Sequence, residues 1–510
     1  MSLTPTEALM HQARVRPEST AFVFNEDVWT YSRLEAEAES VAQGLAANGV
    51  KPGDRVALHM MNCPEILVGY YACYRLGATK APLRTAFKFA ELAPLLQRLQ
   101  PALYIGQAAL YQNVAPIDDA ILPRTSRILV DGDANALGLR PWNDLKQAAH
   151  VHFPKPPSDE PAVLINTSGT TSGYPKFVAH TPGTLAAATD LVCKHGSLLA
   201  EDVVILSMIM THASGVFRSL ALVRLGTPFI MLESFDADVV LDNVERYRGT
   251  CLLGFPAQYA ALIEAQLARP RDLSSLRFCT TGADACPIEI QEKAASVLGA
   301  PLYNLWNATE AVGTFTFGLA SGPVVRIVEG AEIRLVDNHG ADVLHGEIGE
   351  LLIRGPNVFT RYWDDPIATA QSLKDGWYHS GDLMRRGEGN ELWFVSRKKD
   401  IIIRGGTNIS PIEIEEALIA CHPAVVAAVV VGKPDTVLGQ RIFGFVKLVA
   451  GTSETVVAEI LQNVATRLAP YKVPEALRVL ETFPRNALSK VDRTRLQAMA
   501  FEDNSGQSAS

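Results

Sequence analysis

Over the first 320 residues the chain repeats one unit: a short apolar run, a polar turn, then a segment with helical spacing. RVALHM (55–60) is followed by CPEILVGYYACYRLGA, in which Ile66, Tyr70, Cys73 and Tyr74 fall on one helical face. CLLGF (251–255) precedes QYAALIEAQLA, and RFCTTG (277–282) precedes IEIQEKAASVLG. A strand that leads into a helix pairs most readily with the next such strand in parallel. The alternation therefore predicts an α/β fold whose large N-terminal domain is built from βα units and mostly parallel sheets. The pattern then changes. AEIRLVD (331–337), GEIGELLIRG (346–355) and NELWFVSRKKDIII (390–403) read as antiparallel strands joined by Gly and Asp turns, a small antiparallel β subdomain. The last hundred residues run helix (PIEIEEALIA), strand (VVAAVVVG), strand (RIFGFVKLV), helix (SETVVAEILQNVATRL), which predicts a small α+β C-terminal domain. The expected division is 1–396 for the N-terminal domain and 397–503 for the C-terminal one, with a disordered tail over 504–510.

A length of 510 residues calls for two or three domains rather than one small core. The formal net charge of −9 gives no support for nucleic-acid binding, although a local basic patch for an anionic ligand is compatible with it. Seven cysteines are scattered without a CxxC pair, as expected in a reducing cytoplasm and not of a structural zinc site. The apolar run 424–431 is far too short for a membrane span and reads as a buried strand. The opening MSLTPTEALMHQARVRPE reads as the start of an amphipathic helix, not as a signal peptide.

NTSGTTSGYPK (166–176) packs five Ser/Thr hydroxyls, two glycines and a lysine into eleven residues. Such a composition also makes a flexible linker. The apolar run 162–165 directly before it places the cluster at the C-terminal end of a buried strand, where open α/β sheets bind ligands. There glycines let the backbone approach an anion, hydroxyls and N–H groups wrap phosphate oxygens, and Lys176 adds a mobile positive charge. The stretch is not a Walker A loop, because Gly169 and Gly173 are too close and Tyr174-Pro175 separates the second from Lys176. Other strand ends carry related signals: Thr280, Thr281, Gly282, Ala283 and Asp284 after one, and YNLWNATE after another. Singly, a tryptophan is usually core and a Thr-Glu pair is often a helix cap. Together they point to one shared site.

TSGTTSGYPK, LWNATE, HSGDL (379–383), SRKKDIIIRGGTNISPIEIE (396–415) and PRNALSKVDR (484–493) occur in the order and spacing of the AMP-forming adenylating enzymes. That superfamily includes acyl- and aryl-CoA synthetases, nonribosomal adenylation domains and beetle luciferases. The resemblance runs from WTYSRLE (29–35) to residue 496, and the chain is closest in style to the acid–CoA ligases. It implies an ATP-dependent ligase that activates a carboxylic acid as an acyl adenylate and passes the acyl group to the thiol of coenzyme A. The partners it implies are a small carboxylic acid and CoA, with the protein a monomer or homodimer. A stand-alone enzyme loading a separate carrier protein is the alternative.

The resemblance also implies residue roles. Thr167, Ser168, Gly169, Thr170, Thr171, Ser172, Gly173 and Lys176 look like the loop that holds the ATP phosphates, with Thr170 acting in catalysis. Gly282, Ala283 and Asp284 fall where relatives wrap the adenine, and Trp306 where an aromatic stacks on it. Thr309 matches the α-phosphate contact, Glu310 the Mg²⁺ ligand, Asp382 the carboxylate on both ribose hydroxyls, and Arg397 a second ribose contact. Lys490 matches the catalytic lysine, Lys399 the hinge, and Gly405-Gly406 the segment lining the CoA channel. His212, Phe217, Gly254, Asn307 and Val312 match the acyl pocket. Two departures stand out. Ser489 replaces the usual glycine before the lysine, a tolerated change in a loop, and Asn307 stands where most relatives have glycine. An asparagine there is expected to narrow the pocket without closing it. Nothing near His212 suggests a dedicated cation, so the expected substrate is a moderately apolar monocarboxylic acid: medium-chain fatty, alicyclic or aryl.

Overall fold

The computed structural model describes residues 2–146, 153, 158–167, 175–282, 286, 288–318, 322, 324–404, 407–435, 437–486 and 490–502. The chain forms two compact units, Met1–Ile333 with Ile353–His379, and Arg334–Leu352 with Ser380–Ser510.

The first unit is α/β, as the alternation predicts. One sheet runs in the order Leu302–Leu305, Phe278–Gly282, Cys251–Gly254, Val204–Leu206, Phe229–Met231, Thr20–Phe24, Asp27–Thr30. All its pairings are parallel except the last hairpin. Side chains alternate between its faces. Phe22, Val204, Leu206, Leu253 and Phe278 join one core, while Val23, Ile205, Leu252 and Cys279 join another. The second core lies under the helices Ala237–Tyr247, Pro256–Ala268 and Ile288–Leu298. Both faces are therefore covered, which is why these strands read as unbroken apolar runs.

The other sheet runs Arg361–Trp363, Lys176–His180, Val163–Thr167, Thr79–Pro82, Arg55–His59, Leu103–Gly106, Arg127–Leu129, Arg140–Pro141. Its strands from Val163–Thr167 onward are parallel. Its edge is antiparallel: Lys176–His180 folds back on Val163–Thr167, with Thr167 paired to Lys176. The helix Pro64–Leu76 shares one core with both sheets. All its residues except Glu65 and Arg75 are buried, so the single apolar face expected at Ile66, Tyr70, Cys73 and Tyr74 is only part of what it hides. At the N-terminus the helix Pro5–Val15 opens with a capping box between Thr4 and Glu7.

The strands Glu332–Val336, Ile348–Arg354, Trp377–Arg386 and Glu391–Arg397, most of whose residues fall in the second unit, are hydrogen-bonded neighbours. A second sheet contains Thr407–Ile409, Ile402–Arg404, Gly439–Leu448 and Val425–Asp435, with Ala476–Val479 on Gly439–Leu448. Alternation again sorts the side chains. Ala428, Val430, Ile442 and Val446 face the helices Pro411–Cys421 and Val457–Ala465. Val429, Val431, Phe443 and Phe445 face the helix Arg493–Glu502. That last helix was not expected, because it buries only Leu496 and Ala500 and so carries almost no periodic signal. It is tied down by Arg493, which donates to Glu415 (2.9 Å) and to the Val430 carbonyl (2.9 Å).

Candidate functional site

The hydroxyl-rich stretch joins two antiparallel strands. Asn166 is the last residue but one of the first: its buried amide donates to the Pro82 carbonyl (2.9 Å) and accepts from Arg84 Nε (2.7 Å). Thr167 and Lys176 face each other across the base of the connection. Ser168, Gly169, Thr170, Thr171, Ser172 and Gly173 lie outside the described residues. Lys176 is not the mobile cation expected. It opens the return strand, is 8% exposed, and holds its Nζ 4.7 Å from the centre of the Tyr362 ring. The cause is the edge strand Arg361–Trp363, which pairs beside it, with Tyr362 opposite Val178.

Tyr362 also reaches Glu310. Its hydroxyl donates to Glu310 Oε1 (2.8 Å), and the Glu310 carbonyl accepts from the Phe359 N–H (2.7 Å). Burial, and then the Glu310 charge, hold the Tyr362 phenol well above its usual pKa, so it remains a hydrogen-bond donor. Thr309 and Glu310 sit on a single 3₁₀ turn, Thr309–Ala311. That turn is anchored by His180, whose Nε2 lies 2.8 Å from the Thr309 carbonyl. A carbonyl can only accept, so Nε2 carries the proton. Burial pulls the His180 pKa down to about 4, which keeps the ring neutral.

The strands Phe278–Gly282 and Leu302–Leu305 deliver the other residues. Gly282 pairs with Leu305, and a Cβ on it would lie 2.3 Å from the Leu305 carbonyl oxygen. Only glycine permits that approach. Trp306 follows at once and meets Phe315 edge-on, with ring centres 5.1 Å apart. Ala283 and Asp284 lie outside the described residues.

A cavity of about 120 Å³ opens at these strand ends. His212, Phe217, Gly254, Asn307 and Val312 all line it, together with Gly282 and Thr309. His212 caps the helix Ala213–Leu225 and lies 2.8 Å (Nδ1) from Ser214 Oγ. Phe217 packs edge-on against His180. Asn307 is exposed as well as cavity-lining, so its amide keeps access to water and carries no desolvation cost.

In the second unit Asp382 and Arg397 are paired across two antiparallel strands, with Arg397 Nε 3.4 Å from Asp382 Oδ1. Asp382 is buried, and its N–H donates to Ser380 Oγ (3.1 Å). Gly381, at φ +70°, lies between them within the strand Trp377–Arg386. Lys399 is exposed in the turn after Glu391–Arg397, where Asp400 and Ile401 both donate to the Arg397 carbonyl. Lys490 closes a loop with Asn486: its N–H donates to Asn486 Oδ1 (3.2 Å), and Asn486 N–H donates to its carbonyl (2.8 Å). Gly405, Gly406 and Ser489 lie outside the described residues.

Sequence reasoning missed Tyr362, His180 and Arg84. Each acts through a partner 52 to 129 residues away, and none stands in a motif. Among the described residues no group of three His, Cys, Asp or Glu could hold a metal, and no helix is long and apolar enough to cross a membrane.

Known proteins with the same organisation are numerous. The sequence profile described as AMP-binding enzyme matches residues 9–363, and that described as AMP-binding enzyme C-terminal domain matches 413–490. The medium-chain fatty-acid–CoA ligase of Escherichia coli (strain K12) is 32% identical, covering 95% of this chain and 88% of its own. The indoleacetate–CoA ligase of Aromatoleum aromaticum is also 32% identical, covering 95% and 96%. In fold, the crystal structure of the anthranilate CoA ligase AuaEII in complex with anthranoyl-AMP superposes with a TM-score of 0.89 at 23% identity, covering 99% and 98%.

Proposed function

The chain belongs to the AMP-binding enzyme family and is an AMP-forming acid–thiol ligase that uses ATP and CoA, and on that premise we propose that it acts on a moderately apolar monocarboxylic acid, medium-chain fatty, alicyclic or aryl. One observation carries this reading: a mostly apolar cavity lies against Thr309 and Gly282 and is lined by Phe217, Gly254 and Val312. An acid seated there would bring its carboxylate to the strand ends and bury its apolar body.

In the proposed reaction the carboxylate attacks the α-phosphorus of ATP in line and pyrophosphate leaves. The thiol of CoA then attacks the acyl adenylate and AMP leaves. The first step is mostly a matter of alignment and charge neutralisation. Thr309, on a turn fixed by His180, is suited to the α-phosphate, and Lys490 to the charge that develops there. Trp306 would stack on the base, and the adjacent Asp382 and Arg397 would take the ribose. One buried carboxylate oriented by a phenol suits Mg²⁺, a hard cation usually held by one or two carboxylates plus substrate phosphates. Glu310 would hold it, and the ion would supply neutralisation of phosphate charge. Domain limits at 1–396 and 397–503 with a hinge near Lys399 belong to the same proposal, as does a cytoplasmic location.

Pyrophosphate release measured across a panel of acids, with and without CoA, tests this. Release should depend on the acid and rise for apolar monocarboxylates, with thioester appearing when CoA is added. Release that is indifferent to the acid offered would contradict it.

A further inference from the structure

Besides the residues already described, the cavity is lined by Arg218, one residue beyond Phe217 on the helix Ala213–Leu225. Its Nη1 lies beside Gly196, where a Cβ would come within 3.8 Å. No carboxylate is among the lining residues. Arg218 takes part in no hydrogen bond or ion pair among the described residues. The charged groups near it are spoken for or uncharged. Asp190 is paired with Arg224 (2.7 Å) and Lys194 (2.8 Å), and Asp202 with Arg277 (2.7 Å). Burial pushes the Cys193 thiol up to about 11 and the Cys251 thiol up to about 12, so neither is an anion at neutral pH. Burial also lowers the Arg218 pKa, the direction expected of a guanidinium without a counter-charge.

A guanidinium offers five N–H donors and is never deprotonated in a protein at neutral pH. Arg218 is half-buried, so water offsets part but not all of the cost of holding a guanidinium in a mostly apolar cavity without an acceptor. The ordinary explanation is a cation placed at a helix C-terminus, here that of Pro182–His195. That interaction needs no hydrogen bond, but none of the helix's last carbonyls accepts from Arg218 among the described residues, so it leaves the guanidinium donors unused. The cavity holds a second orphan, the hydroxyl of Thr281, which is buried and has no partner among the described residues.

We propose that Arg218 is a specificity-determining residue that hydrogen-bonds an acceptor oxygen of the acid other than the carboxylate being activated. This rests on the ligase reading above and narrows it. The substrate is a largely apolar acid that carries one further oxygen acceptor, such as a keto, ether, phenol or nitro group. The expectation that no cation serves the acyl pocket is thereby replaced: the residue sits six positions after His212, one and two-thirds helical turns on.

The test compares kcat/KM for matched pairs of acids, each with either an acceptor oxygen or a methyl group at the same position, in the parent enzyme, Arg218→Leu and Arg218→Lys. A dicarboxylate matched to each pair distinguishes a neutral acceptor from an anionic one. The parent should favour the oxygen member. Arg218→Leu should reduce that ratio at least tenfold, since a site built around a hydrogen bond discriminates strongly against the analogue lacking it. Arg218→Lys should recover part of the ratio. Unfolding by urea supplies a second readout. Removing an uncompensated charge should leave stability unchanged or raised, whereas loss of a helix-terminus partner would lower it.

An unchanged ratio in Arg218→Leu, or an equal loss for both members of each pair, would overturn the proposal; the second result would mean that Arg218 meets the activated carboxylate. A parent enzyme that activates acids but favours the methyl members would overturn it while leaving the ligase reading intact. No turnover of any acid by folded, ATP-binding protein would remove both.

Discussion

At the scale of the residue, the most consequential contact is one hydrogen bond, from Tyr362 to Glu310. Glu310 is 9% exposed, so a donor to its carboxylate counts for more than it would in water. Tyr362→Phe keeps the ring, and with it the face offered to Lys176, but removes the donor. Hydrogen bonds to charged groups are worth about 1.5–3 kcal/mol. Urea unfolding of Tyr362→Phe should show a loss in that range. If Glu310 holds Mg²⁺, the Mg²⁺ concentration for half-maximal pyrophosphate release should also shift. A variant identical to the parent in both would mean that the phenol neither supports nor orients the carboxylate.

At the scale of the element, the strand Lys176–His180 does more than close a hairpin. Its first residue stands beneath Tyr362 and its last holds the turn that carries Thr309. Its stability should depend on pH. The folded pKa of His180 is about 4 against an ordinary 6.5, and burial puts His59 at about 4 as well. Between these values the unfolded chain binds protons that the folded chain refuses. Stability is therefore fully present above pH 6.5 and falls as pH drops towards 4. At pH 5 the loss is about 2 kcal/mol per histidine, from roughly 1.4 kcal/mol per pH unit. Asp435, held at about 2 chiefly by its Arg441 hydrogen bond, stays ionised throughout and adds nothing to this window. Urea unfolding at pH 7.5 and pH 5 should show the fall, and His180→Gln should remove about half of it. A flat profile would mean that neither ring is buried as described. The strand also shows what can be read from sequence. Its apolar run and that of Val163–Thr167 are legible, because burial on both faces leaves no polar alternation. Their antiparallel pairing follows from the short connection between them, whereas the edge strand Arg361–Trp363 that pairs beyond it comes from nearly two hundred residues on and is not legible. Motif residues were found because their chemistry demands short, fixed spacings, as in LWNATE. Tyr362, His180 and Arg218 escaped because their neighbours come from other elements. Arg218 in particular is one of two arginines in an otherwise apolar helix, the pattern of an ordinary snorkelling side chain.

At the scale of the whole molecule, two compact units each keep their own core, and the proposed chemistry draws on both. This permits a test that separates the half-reactions. The Lys490 backbone ties its segment down: its N–H and carbonyl both bond to Asn486, and Arg485 bridges to Val491. Lys490→Ala should therefore keep the loop and the fold. If the lysine's cation neutralises charge developing on the α-phosphate, adenylate formation should fall by about 10²–10³ or more, the range seen for loss of one positioned donor. Thioester formation from supplied acyl adenylate bypasses that step and should stay within a few-fold of the parent. Pyrophosphate release and thioester yield, measured separately on the same preparation, give the two rates, and urea unfolding checks that the fold is unchanged. An equal fall in both half-reactions with unaltered stability would place Lys490 in a step common to both. An unaltered adenylation rate would take it out of the chemistry altogether and return it to the surface loop that its spacing alone suggests.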